Sequence, residues 1–215
     1  MNRIRDGQTV LFTGDSITDC GRAREVVNPN DLNGLGRGYV MMTAAQLLAD
    51  RPAAGLNFLN RGIGGECVVD LYARIQADLI DLGPDVVSIL IGVNDSWRGF
   101  SGGKGVSLVQ YEQIYRELLT KARTTLPAVR FVLCEPFVLP CGKVTGPLRA
   151  DLDQRRAVVG RLSREFAAVF VPFQTRLDGA TKQAPPEYWA YDGVHPTPAG
   201  HALMARTWLQ AVEEQ

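Results

Sequence analysis

The sequence has only two histidines, four cysteines and no excess charge of either sign. Each shortage excludes something. With 23 basic residues against 23 acidic, the net charge is zero, so nothing draws the chain to nucleic acid or an anionic membrane. No apolar run approaches the roughly 20 residues of a membrane helix. The opening stretch MNRIRDGQTV carries charges but no apolar core, which argues against a standard signal peptide and for a cytoplasmic location. Cys20, Cys67, Cys134 and Cys141 form no CxxC pair and read as free thiols of a reducing compartment. Neither histidine stands at ligand spacing from a cysteine, so no metal site is expected. There is no linker, internal repeat or low-complexity tract. The 215 residues, 46% of them hydrophobic, suffice for one sizeable core and read as a single domain over 1–215.

What is present is alternation. TVLFTG (9–14) reads as a buried strand. YVMMTAAQLLAD (39–50) has helical spacing, with Val40, Met41, Ala44, Ala45 and Leu48 on one face. LNFLNRG is a short strand. Val68, Leu71, Tyr72, Ile75, Leu79 and Leu82 then mark an amphipathic helix, stopped by Gly83-Pro84. DVVSILIG is nearly continuous in apolar residues, as a strand covered on both faces should be. Further helices are expected around Tyr111–Ala122, over roughly 151–168 and after Pro198, with strands at VRFVLCEP and VFVPF. Such alternation predicts a three-layer α/β/α sandwich around a parallel sheet of about five strands. Loops at 21–38 and 97–108 are glycine-rich and follow strands, on the side where open α/β sheets bind ligands.

Four stretches fall at that end. Ser16 follows the first strand, a glycine cluster (62–65) the second, and GVNDSW (92–97) the third; YDGVHPTPAGH precedes the last helix. Each has an ordinary explanation. Serine after a strand commonly caps a turn, glycines make turns, and Asn94 can bond its own backbone. Ser16 is not in a GxSxG elbow, because position 18 is Thr, and GIGG is not a GxGxxG phosphate fingerprint. The pair Asp192 and His195 is more specific. With two histidines in the chain, a base titrating near neutrality is one of them. A carboxylate three residues before an imidazole can hold Nδ1–H and leave Nε2 free. A serine hydrolase needs a nucleophile, a base, an orienting acid and oxyanion donors. Ser16, His195 and Asp192 suit the first three roles. The Ser16 N–H, an N–H from the 62–65 loop and the Asn94 amide suit the last.

These blocks resemble those of the SGNH (GDSL-type) hydrolases: GDSITD at 14–19, NRGIGGE at 60–66, GVND at 92–95 and DGVHP at 192–196, in order across nearly the whole chain. The resemblance implies Ser16 as nucleophile, Asp192 and His195 as its triad partners, and Ser16, Gly65 and Asn94 as the oxyanion hole. In the family, the second block usually ends in Ser-Gly after a hydrophobic residue. Here Gly64 replaces the serine, which leaves two adjacent glycines as candidates. GDSITDCGRAR, LGRGYV, IGVNDSWR and VHPTPAGHALMARTWL resemble more narrowly the intracellular acetylxylan esterases of this superfamily. That implies removal of short acyl groups from acetylated xylo-oligosaccharides through an acyl-enzyme, no cofactor, and assembly as a homo-oligomer. Asp15, Trp97, Arg98, Trp189 and Tyr191 are the candidate substrate contacts, since aromatic faces stack on sugar rings, although large aromatics beside a loop as often only pack it. Rival expectations are a thioesterase or lysophospholipase with the same machinery, or a non-catalytic carbohydrate-binding protein, which would have lost a triad member. A flavodoxin-like nucleotide binder would need a phosphate loop, and the Asp-x-x-His turn would have no role in it.

Overall fold

The structure, a computed structural model, describes residues 3–213. Five parallel strands, β1 (Thr9–Gly14), β2 (Asn57–Asn60), β3 (Val86–Leu90), β4 (Arg130–Cys134) and β5 (Val169–Val171), form one sheet in the order β2-β1-β3-β4-β5. Strand side chains alternate between two cores. Val10, Phe12, Val86, Leu90, Val132 and Cys134 face one core, and Leu11, Val87, Ile89, Phe131 and Leu133 face the other. Helices α3 (Tyr39–Asp50), α8 (Phe173–Ala180) and α10 (Pro198–Glu213) cover the first face. Helices α4 (Val68–Ala73), α6 (Leu108–Thr125) and α7 (Gly146–Glu165) cover the second. Ser88, the polar residue in the middle of β3, is fully buried; its Oγ accepts from the indole N–H of buried Trp208 at 3.0 Å, so the first core carries no unpaired hydroxyl there. No helix among the described residues is long and apolar enough to cross a membrane.

Several elements depart from sequence expectation. The stripe from Val68 to Leu82 is not one helix: α4 ends at Ala73 and the chain continues as a π-helical turn, Gln76–Ile80. Val68, Leu71, Ile75 and Leu79 still all reach the core, because the shift in the hydrogen-bond ladder leaves the buried face intact. The expected loop at 97–108 is partly helix α5 (Val93–Phe100), whose three apolar residues, Val93, Trp97 and Phe100, recur at i, i+4 and i+7 over barely two turns. Helix α7 starts at Gly146 rather than near 151, with Thr145 Oγ accepting from the Leu148 N–H and Pro147 in the first turn. Short helices α1 (Ser16–Asp19), α2 (Leu32–Leu35) and α9 (Pro186–Trp189) are too short to show a period, and α8 shows one only at Phe173, Leu177 and Ala180.

In this strand order the chain reverses direction of winding between β1 and β3, and a crevice opens beyond their carboxyl ends. Ser16 lies two residues beyond the end of β1 and Asn94 four beyond the end of β3. Gly14 lets the two strands approach: a Cβ there would lie 2.2 Å from the Leu90 carbonyl oxygen.

Candidate active site

Ser16 is the first residue of α1. Asp15 caps this helix, its Oδ1 accepting from the Ile17 N–H at 3.0 Å. The Ser16 side chain is half-buried and its Oγ lies 2.9 Å from His195 Nε2. On the other side of that ring, Nδ1 is 2.7 Å from Asp192 Oδ2. The other carboxylate oxygen of Asp192 accepts from the N–H groups of Val194 (2.9 Å) and His195 (2.7 Å). Burial raises the Asp192 carboxyl, but the His195 side chain and these two N–H groups outweigh it and hold the group below the usual carboxylate range. An ionised carboxylate only accepts, so Nδ1 carries the ring proton. Nε2 then accepts from the Ser16 hydroxyl, the arrangement that activates a serine for attack.

The turn is held from outside as well. Tyr191 N–H donates to the His195 carbonyl, and Leu139 N–H to the Gly193 carbonyl. The Tyr191 ring stacks on the imidazole, with centroids 5.9 Å apart and planes 19° from parallel.

The glycine loop resolves the choice between neighbours. Gly64 N–H donates to Asp19 Oδ2 at 3.0 Å. Gly65 N–H has no hydrogen-bond partner among the described residues, and Gly65 adopts φ +83°, where a side chain would be strained. Asn94 Nδ2 spends one hydrogen on the Glu66 carbonyl at 3.0 Å and retains a second. The Ser16 N–H opens a helix and is one of its unpaired first donors.

The expected substrate contacts are placed unevenly. Asp15 is 1% exposed and is not a surface contact. Its Oδ2 and that of Asp95, also buried, have no partner among the described residues. Burial pushes Asp15 up to about 7 and Asp95 up to about 6, and the Asp95 charge adds to the effect on Asp15. Arg98 reaches the site as a brace, its Nη2 donating to the Gly65 carbonyl at 2.6 Å. Trp189 packs against the first core and donates its indole N–H to the Ala184 carbonyl at 3.3 Å, which is a packing role. Its neighbour Tyr188 is exposed and meets Trp189 edge-on at 5.1 Å. Tyr191 is exposed at the rim. Trp97 is half-buried and lines a cavity of about 760 Å³ with Phe100, Lys143, Thr145, Pro147 and Leu148.

Sequence reasoning assigned no role to Asn60, Asp19 or Arg22, which build the loop. Asn60 Oδ1 accepts from Gly62 N–H while its Nδ2 donates to the Thr18 and Leu35 carbonyls. Arg22 Nε donates to the Gly62 carbonyl at 2.7 Å. All lie inside or next to the quoted blocks, and polar residues there were the available signal.

The sheet order and the Ser16–His195–Asp192 chain at its switch point are those of a hydrolase of the SGNH class. The family model described as "GDSL-like Lipase/Acylhydrolase family" matches residues 12–203, and the chain belongs to that family. It is a carboxylic ester hydrolase. The chain is 38% identical over 214 residues to an acetylxylan esterase from Geobacillus stearothermophilus, covering 98% of this chain and 96% of that one. The solved structure of that esterase superposes with a TM-score of 0.90. A solved structure from Parabacteroides merdae, assigned as a GDSL-like lipase, is 41% identical with a TM-score of 0.95, covering 100% of this chain and 99% of that one. Solved variants of the Geobacillus esterase described as catalytic mutants replace a serine, a histidine and an aspartate with alanine.

Proposed function

We propose that this esterase removes short acyl groups, acetyl first among them, from carbohydrate hydroxyls, with acetylated xylo-oligosaccharides as the substrate class. The observation that carries the chemistry is the 2.9 Å contact of Ser16 Oγ with an imidazole whose far nitrogen is held by Asp192 at 2.7 Å. The substrate class rests on the 38% identity to an acetylxylan esterase over nearly the full chain. Ser16 Oγ attacks the ester carbonyl as His195 takes its proton. The oxyanion is met by the Ser16 N–H, the Gly65 N–H and the Asn94 amide, donors that are fixed before the charge develops. His195 returns the proton to the leaving sugar oxygen, and water repeats the attack on the acyl-enzyme. Tyr191, exposed and stacked on His195, is the aromatic face best placed to meet the sugar.

A second reading, a thioesterase or lysophospholipase, is favoured by one observation. The cavity beside Trp97 has walls from Phe100, Pro147 and Leu148 that could take a longer acyl chain. Initial rates on 4-nitrophenyl acetate, butyrate and octanoate, with acetylated xylo-oligosaccharide alongside, separate the two. Acetate release that falls with chain length, extends to the acetylated sugar and disappears in Ser16→Ala is the expected result. A preference for octanoate moves the assignment to the second reading. Hydrolysis that survives Ser16→Ala removes Ser16 from the mechanism.

A further inference from the structure

At the opposite end of α1 from Ser16, a cavity of about 370 Å³ is lined by Gly21, Arg22, Ala23, Gly36, Arg37 and Met41 among others. Its volume is that of a small-ligand site, roughly 300–1,000 Å³. Arg22 is 6% exposed. Its Nε is spent on the Gly62 carbonyl and its Nη1 is sealed from solvent with no partner among the described residues, so the guanidinium meets the cavity through the small part of its surface that stays accessible. A guanidinium does not shed its proton, so this charge persists in the fold. Nearby arginines are provided for. Arg24 pairs with Asp19 at 2.7 Å, Arg61 and Arg74 share Asp78, and Arg74 also pairs with Glu66. Arg22 has no such carboxylate among the described residues. Asp19 is close in sequence, yet its oxygens already receive the Arg24 guanidinium and the N–H groups of Arg22 and Gly64. Burial first, then the charge of Arg61, depresses the Arg22 guanidinium, so the local field is positive. Arg37 on the rim is exposed and makes no ion pair among the described residues.

We propose that this cavity is a subsite for the anionic group of a small polar molecule, a carboxylate or a phosphate held between Arg22 and Arg37. Charged guanidinium N–H groups donate strongly to both anions. Leu32 and Met41 offer an apolar wall and Asn33 a polar one, as the body of a sugar acid or sugar phosphate requires. The subsite shares no residue with the Ser16–His195–Asp192 chain, so it stands whether or not the proposed reaction does. It is nonetheless coupled to it: Arg22 also holds the loop that carries Gly65, and a bound anion would fix the side chain that braces that loop.

Calorimetric titration of the wild-type protein with glucuronate, glucose 6-phosphate and glucose tests this. The expected result is binding of at least one anion, no binding of glucose, and weakening with added salt. Glucuronate alone binding identifies a carboxylate site, and glucose 6-phosphate alone a phosphate site. Arg37→Gln, at an exposed position that leaves the core untouched, should weaken binding about tenfold or more. Arg22→Lys, checked for folding by its melting temperature, should weaken it as well, because an ammonium keeps the charge but not the fixed N–H directions of the guanidinium. Absence of binding by both anions, equal binding of glucose, or an affinity indifferent to Arg37→Gln overturns the proposal.

Discussion

The two histidines serve the two ends of one short helix, and they differ in a single partner. His195 meets Ser16 at the start of α1; His201 meets Cys20, which closes it, with Nε2 3.4 Å from the sulfur. On the far nitrogen His195 has an acceptor, the Asp192 carboxylate. His201 has a donor, the Tyr39 N–H at 3.1 Å. An acceptor forces the ring proton onto Nδ1 and frees Nε2 to take a proton. A donor forces it onto Nε2, which must then donate to the sulfur and cannot serve as a base. Burial also pushes His201 down to about 4, so it stays neutral. Cys20, with its thiol raised by burial, gains no activation from the contact. Two similar-looking pairs are thus a candidate nucleophile with its base and an inert packing contact. The difference lies in the hydrogen on one neighbour.

The largest expected effect comes from removing the rings. His195→Ala should lower kcat on 4-nitrophenyl acetate by about 10⁴-fold or more, and His201→Gln by less than about tenfold. Similar losses in both would break the comparison. Next comes Asp192→Asn, which can present a donor to Nδ1 and so gives His195 the environment of His201. A loss of about 10³–10⁴-fold is expected, with little change in KM. Retained activity would show that the turn, not the carboxylate, sets the tautomer. Asn94→Ala lies outside both pairs and should cost about 10²–10³-fold in kcat with the protein fully folded.

Smaller effects appear in stability. In the fold His201 stays neutral down to about pH 4, whereas in the unfolded chain it takes a proton near its ordinary 6.5. Stability is therefore lost as pH falls between those values, by about 3 kcal/mol at most. Asp15 acts in the opposite sense. Its carboxyl stays protonated to about 7 in the fold and ionises near 3.8 when unfolded, so stability is lost as pH rises between them. Melting temperatures across this range should show a flatter acid limb in His201→Gln. The neutral limb should be flatter in Asp15→Asn, whose amide oxygen can still cap α1. Parallel curves for wild type and variants would rule out these buried groups as the cause. Cys20→Ala should change kcat by no more than a few-fold, the smallest effect of the set.

Much of this was legible in the chain. The strands at 9–14 and 86–90, the helix at 39–50 and the parallel architecture follow from apolar periodicity, which reports burial directly. The pairing of Asp192 with His195 could be read because a three-residue turn closes on itself. How Trp189 and Asp15 sit could not be read from the chain, because type and position in sequence do not say which way a side chain faces. One is packed on the core with its N–H spent, and the other is sealed under α1. The short helices escaped notice because a single turn has no period to detect.

The sequence by itself determined the alternation of elements, the four polar blocks and the scarcity of histidine that made His195 conspicuous. Only the tertiary structure decided that, among the described residues, Gly65 rather than Gly64 keeps a free N–H, that His195 and not His201 can accept a proton, and that Arg22 lies buried without a counter-ion. The physical reason is common to all three. Local sequence sets which groups exist and how the backbone near them bends. Whether a donor is spent, a proton sits on one nitrogen or a charge goes unpaired depends on atoms that arrive from distant parts of the chain.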